Sequence, residues 1–299
     1  PFFLINSGSL LSHPWSLVLS LTFVLGWLDT FFPRTQLPRW ITASTAGLSL
    51  GLLVLTRPLT AAGVALPFFF HGLYLLIRGD RQSKIWVIEI GLLAGFLAGL
   101  LLVWQYALTG DPFLNPYTLW WPYDKVGFGP GVGLQPGGYH LLDARMNIKR
   151  SLRMGFFDLF GWFNYSWLFI PFGLAAIRRN KKSWLTSLVF PGLIVAYVFY
   201  WIGSWLYGPR YYYEGLFSLT LLTAAGISLL SGLPLEKGKK WLKLSLGKRV
   251  QTVAVLSTLS ILVIINLHYY LPARLHGMTD LYDVGRQYLK PFQTQQALS

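Results

Sequence analysis

The sequence predicts an all-α polytopic membrane protein with about eight transmembrane helices, and three observations carry that expectation. First, 54% of its 299 residues are hydrophobic, 17% are aromatic and only 12% are charged, which excludes an ordinary soluble domain. Second, apolar runs near the 20 residues needed to cross a bilayer recur along the chain. Third, the formal charge of +14 sits mainly in short connections between those runs. There it reads as an orientation signal and not as a nucleic-acid footprint. The absence of cysteine excludes a disulfide framework, a thiol nucleophile and a thiolate metal site.

The predicted spans are residues 10–28, 41–55, 59–77, 86–107, 162–177, 184–203, 212–231 and 251–271. Only Thr56, Arg57 and Pro58 separate the second from the third, so one kinked or re-entrant unit is the alternative for that pair. Gly91, Gly95 and Gly99 repeat the small-xxx-small spacing that lets helices approach closely, and plain helix packing accounts for it. The chain opens on PFFLI and not on Met, with no signal peptide ahead of the first apolar stretch. That opening predicts an N-terminally truncated fragment.

Charge sets the orientation. Arg34 and Arg39; Arg78, Arg81 and Lys84; Arg178, Arg179, Lys181 and Lys182; and the six basic residues from Lys237 to Arg249 fall on one side. That side holds 15 of the 25 basic residues and is predicted to be cytoplasmic. The segment 108–161, the stretch WLYGPRYYYE at 205–214 and the tail 272–299 then face outward. The first 271 residues form the transmembrane domain, and the tail reads as the start of a truncated soluble domain.

Segment 108–161 is too long for a connector, and its Pro, Gly and aromatic punctuation argues against disorder. Within it, Arg145, Lys149 and Arg153 recur at helical spacing along HLLDARMNIKRSLRMGFFDLFGW. This predicts an amphipathic helix with one basic side, lying on the outer leaflet.

Charged groups near hydrocarbon single out the candidate site residues, because each costs about 2.5–3.5 kcal/mol at a helix centre. Arg57 stands between two apolar runs and just before a helix-starting proline, where a guanidinium can bind phosphate oxygens bidentately. An interfacial arginine snorkelling to headgroups is the other reading. Arg210 carries the same two readings. Glu214 follows Arg210 at i+4, which predicts an ion pair that orients the arginine, with a catalytic carboxylate as the other reading. Asp111, Asp124, His140, Asp143 and Asp158 show no HExxH or DxD spacing, so turn and cap roles are expected for them. His13 before Pro14 reads as a cap-region residue, and Glu89 as a carboxylate near the cytoplasmic end of its helix. No nucleotide-binding loop is present.

Four stretches, SGSLLSHPWSLVLSLTFVLGWL, GLSLGLLVLTRPLTAAGVALPFFF, TGDPFLNPYTLWWPYDKVGFGPG and YGPRYYYEGLFSLTLL, resemble in order the bacterial branch of the GT-C glycosyltransferases. These are relatives of the protein O-mannosyltransferases and of the aminoarabinose transferase acting on lipid A. The resemblance implies an inverting, multi-pass enzyme of the inner (plasma) membrane. Such an enzyme takes a hexosyl or pentosyl group from a polyprenyl-phosphate-linked donor and delivers it to a lipid, glycan or protein acceptor on the extracytoplasmic face. It implies that Arg57 and Arg210, with Tyr207, Tyr212 and Glu214 nearby, line the donor phosphate site. The family's catalytic acidic residue lies in the first extracytoplasmic loop, expected before Pro1, so no catalytic base is named in this chain. A divalent metal ion is a possible cofactor, with no ligand set visible, and nucleic acid is not an expected partner. A transporter or flippase of a lipid-linked saccharide is the alternative. It needs a polar path through the helices, for which Glu89, Asn266 and a few Ser and Thr are the main groups. A scaffolding protein leaves the aromatic outer loop unexplained.

Overall fold

The computed structural model describes residues 12–203, 209–232 and 246–276. Tyr207, most of the basic loop 232–250 and the tail beyond 276 lie outside the described residues. Among the described residues ten α-helices follow in chain order: α1 His13–Phe31, α2 Arg39–Thr56, α3 Pro58–Arg78, α4 Arg81–Thr109, α5 Leu141–Asp158, α6 Ile170–Ile177, α7 Lys181–Ser187, α8 Val189–Tyr197, α9 Leu216–Ser231 and α10 Leu246–Ile265. A π-helical turn, Asn266–Tyr270, extends α10. No β-strand forms among the described residues.

The expected count of eight spans is corrected. Among the described residues, five stretches are long and apolar enough to cross a membrane: α1, α3, α4, Arg210–Ser231 and Gly247–His276. A sixth results if α5 and Phe163–Ile177, bent by 101°, act as one broken span. The predicted span 162–177 fails because Gly161 and Phe163 both adopt positive φ and the chain turns before the eight-residue α6. The predicted span 184–203 divides into α7 and α8 at Leu188. Pro191, the third residue of α8, has no N–H to give back to the turn that precedes the break. Residues 41–55 do form a helix, but α2 is rich in Ser, Thr and Gly. It is wedged between α1 and α4, so its faces meet protein and need not be apolar. The second and third predicted spans are two helices, separated by Arg57 alone in an extended conformation (φ −151°, ψ 83°).

Glycines set the helix crossings. At Gly47 a β-carbon would lie 2.8 Å from the Leu93 side chain, and at Gly51 it would lie 2.6 Å from that of Leu97, so α2 sits directly on α4. Gly63 and Gly192 bring α3 against α8. Gly173 and Gly226 bring α6 against α9, with each glycine facing a backbone carbonyl of its partner helix. The main core gathers where these crossings meet, around Phe23, Leu53, Val64, Phe68, Val189 and Leu193. By contrast, Gly91, Gly95 and Gly99 face open space among the described residues, so the expected small-residue contact does not form on that side of α4. Interior helix contacts use the face of α4 bearing Ile90, Leu93 and Leu97 instead.

At 29 residues, α4 is about 43 Å long. The side chain of Asp80 caps its start by accepting from the Ser83 N–H, and Gly110 ends it in the left-handed conformation. The outer segment that follows is ordered by contacts with the rest of the molecule. Bridges pair Val126 with Tyr200 and Gly129 with Tyr139, and the Gly127 N–H donates to the Phe199 carbonyl at 2.7 Å. In α5 the residues Ala144, Ser151, Gly155 and Asp158 are buried, while Arg145, Lys149 and Arg153 are exposed, as the amphipathic pattern requires.

The two glycine classes differ in expected sensitivity. Gly173→Ala, whose methyl meets the Leu222 backbone, is expected to destabilise the protein by about 1–3 kcal/mol. Gly95→Ala is expected to stay within about 1 kcal/mol of the parent or gain slightly from helix propensity. Unfolding midpoints in detergent compare them, and equal losses would show that α6 and α9 do not touch as described.

Candidate functional site

Four segments meet at the end of the bundle opposite the basic connections: the start of α1, the Arg57 junction, the end of α8 and the 3₁₀ helix Arg210–Gly215. Proline starts two of them. Pro14 lies in the first turn of α1 and Pro58 opens α3, which leaves the backbone at His13 and Arg57 free to turn into the bundle.

At the centre, Arg57 Nη1 donates to Glu214 Oε1 at 2.7 Å, and Nη2 donates to the Tyr197 hydroxyl at 3.1 Å. His13 Nδ1 bonds the same Arg57 Nη1 and lies 3.6 Å from Glu214 Oε1. The Thr60 and Tyr197 hydroxyls are 2.6 Å apart. The Glu214 side chain is 0% exposed and that of Arg57 only 12%, so this is an internal ion pair, satisfied on the arginine side. The carboxylate is half satisfied: Glu214 Oε2 is buried and has no hydrogen-bond partner among the described residues. A buried acceptor without a donor is uncommon, and this oxygen can accept one further hydrogen bond.

The sequence expectation of an Arg210–Glu214 pair is corrected. Residues 210–215 form a 3₁₀ helix, in which i and i+3 eclipse and i+4 is rotated by about 120°. Glu214 therefore turns inward to Arg57, while Arg210 is half-buried with its guanidinium 5.3 Å from the centre of the Tyr211 ring. That ring stacks on Tyr197, 4.8 Å away with 7° between the planes, so Arg210 rests on an aromatic platform fixed to the same cluster. Tyr212 is 4% exposed. It packs edge-on against Phe190 and Tyr197, and its hydroxyl meets Ser151 of α5. Its role is to tie the amphipathic helix to the core. Of the five sequence-predicted site residues, Arg57 and Glu214 touch, Arg210 lies on the adjoining ring and Tyr212 backs the cluster.

Three participants were not among the sequence candidates for this site. Tyr197 and Thr60 lie inside or beside apolar runs and carry no signal of their own. His13 reads as a cap residue, yet it is 4% exposed and inside the network.

The carboxylates of the outer segment take local duties. Asp111 accepts from the Phe113 N–H at 2.8 Å, and Asp143 from the His140 N–H at 3.0 Å. Asp124 does more: its Oδ1 accepts from the Tyr200 hydroxyl at 2.9 Å and from Trp201 Nε1 at 2.8 Å, locking the outer segment onto the chain just before the site. Burial and the neighbouring Asp124 carboxylate push the Tyr200 hydroxyl well above its ordinary value, so it remains a donor. Asp158, buried at the end of α5, pairs with Arg274 at 2.6 Å and with the Tyr270 hydroxyl.

A divalent metal does not fit the centre of this site. Among the described residues His13 and Glu214 are its only imidazole and carboxylate, and the Arg57 guanidinium already stands between them as the bridging cation. Among the described residues no three His, Asp or Glu side chains gather as a ligand set. No protein-family model, curated protein or solved structure matches this chain.

Two variants test this arrangement. Glu214→Ala strands a buried guanidinium and is expected to cost about 3–5 kcal/mol, with much of that loss recovered in the Arg57→Met/Glu214→Leu double variant. Additive losses in unfolding midpoints would refute the pairing. Asp124→Ala removes two hydrogen bonds to a charged acceptor and is expected to raise the rate of protease cleavage within residues 125–138 at least roughly tenfold. An unchanged cleavage rate would mean that Asp124 does not anchor the segment.

Proposed function

We propose that this chain is a membrane glycosyltransferase of the GT-C type, which uses a polyprenyl-phosphate-linked sugar at the end of the bundle bearing Arg57, Arg210 and Glu214. The observation that carries the reading is the half-buried Arg210 on the Tyr211 ring, beside a buried carboxylate with one unpartnered oxygen. A cation reachable from the membrane surface suits the donor phosphate. An unfilled acceptor suits a hydroxyl donor, which a sugar supplies. The positive-inside distribution supports an extracytoplasmic location, because the basic connections gather at the other end.

Arg57 and Arg210 then divide the work. Arg57 is held by Glu214, His13 and Tyr197, so it supplies a fixed positive field and keeps Glu214 inward-facing. Arg210, with no acidic partner among the described residues, meets the phosphate. In the reaction the acceptor oxygen bonds the anomeric carbon as the bond from that carbon to the phosphate oxygen breaks. Polyprenyl phosphate leaves with the electron pair, and configuration inverts. Preorganised arginine charge lowers the barrier by stabilising the departing phosphate. The acceptor's proton passes to a carboxylate acting as general base, as the family resemblance implies. The donor is already activated as a phosphate ester, so no ATP is consumed.

The test is transfer of radiolabelled sugar from polyprenyl-phosphate donors in membranes carrying the full-length gene product. Arg210→Ala is expected to lower transfer by about 10²–10³-fold at unchanged expression, and Arg210→Lys to retain part of it. Transfer unaffected by Arg210→Ala would return this residue to a headgroup anchor. No transfer from any donor, alongside movement of labelled lipid between leaflets, would favour a flippase.

A further inference from the structure

The opposite end of the bundle carries a second feature, independent of the glycosyltransferase reading. Between the ends of α1 and α2 nearest the 32–38 connection lies a groove of about 380 Å³. Its base is closed where the helices touch: Gly26 lies against the Thr42 carbonyl and Ala46, and the Thr30 and Thr42 hydroxyls are 2.8 Å apart. The walls are apolar, with Leu25 and Leu28 of α1 and Ile41 of α2 in the lining. The mouth is cationic. Arg34 is exposed on the connection, and Lys182 reaches in from α7 with its ammonium 5.1 Å from the centre of the Phe32 ring.

One acidic group shares this mouth, and its bonds are directed elsewhere. Asp29 accepts from the N–H groups of Arg34 and Thr35 at 2.8 and 3.1 Å and from the Thr35 hydroxyl. It thereby fixes the turn that presents Arg34. Neither Arg34 nor Lys182 forms an ion pair with an acidic side chain among the described residues.

We propose that this groove holds one anionic phospholipid, with an acyl chain along the Leu25, Leu28 and Ile41 walls and the phosphate between Arg34 and Lys182. Basic pockets between transmembrane helices on the cytoplasmic side suit such headgroups. The shape favours a lipid over a soluble anion, because a free phosphate would engage the mouth and leave the apolar groove unfilled. The charge favours an anionic over a zwitterionic lipid. A phosphatidylethanolamine ammonium would face the Arg34 and Lys182 cations, whereas a phosphatidylglycerol headgroup carries no opposing charge.

Native mass spectrometry of the detergent-solubilised protein, with phosphatidylglycerol and phosphatidylethanolamine of matched chains, provides the test. Two surface cations predict a roughly 30-fold preference for one bound phosphatidylglycerol. Arg34→Ala/Lys182→Ala is expected to abolish the preference, while Arg178→Ala/Arg179→Ala, which removes equal charge outside the groove, preserves it. Leu25→Trp fills the groove at an exposed position and is expected to weaken phosphatidylglycerol binding with every cation retained. Equal loss in both double variants would reduce the effect to general charge and overturn the proposal. So would undiminished binding to Leu25→Trp, or competition by inorganic phosphate as strong as by the lipid.

Discussion

The fold of the end of the bundle that carries Arg57 depends on one buried ion pair. Arg57 and Glu214 are 157 residues apart in sequence, and neither charge is tolerable in hydrocarbon without the other. Their contact holds the α2–α3 junction against the segment that opens α9, and it draws in His13 and Tyr197 from two further segments. The same pair explains why the helices can break here at all. Irregular backbone at membrane depth survives only where protein or polar groups satisfy it, and the polar groups of this cluster are gathered at the breaks.

Away from that cluster the helices are held by shape. Gly63 against Gly192, and Gly173 against Gly226, allow backbones to cross at a separation that any side chain would prevent. Dispersion and close packing drive helix association where lipid removes the hydrophobic contribution. The bundle thus combines one electrostatic fastening at the Arg57 end with steric crossings along its length. A second buried carboxylate, Asp158 with Arg274, ties α5 to the extension of α10.

The legible part of the sequence was the part governed by local composition. Uninterrupted apolar runs gave α1, α3, α4, α9 and α10, and the lone charge of Arg57 between two runs marked a special position. Hydropathy could not register the backbone turn at Gly161 and Phe163 or the break before Pro191, so two predicted spans became short helices. The glycine spacing was equally ambiguous, because Gly47 and Gly51 pack against α4 whereas Gly91, Gly95 and Gly99 face nothing described. Which side of a helix meets a neighbour is a tertiary fact. The partner of Glu214 escaped for the same kind of reason: i+4 spacing presumes an α-helix, and the segment winds as a 3₁₀ helix.

The length of α4 has a mechanical consequence. A hydrocarbon core of about 30 Å is shorter than this helix, so the mismatch is absorbed by tilt, by protrusion or by local thickening of the bilayer. Its outer end feeds directly into the segment that Asp124 fastens to Tyr200 and Trp201, beside the Arg210 platform. The height of α4 above the membrane and the position of that fastening are therefore linked through a short stretch of chain. Bilayer thickness becomes a variable acting on the site: a thinner membrane tilts or lifts α4, and the covering segment must follow or stretch.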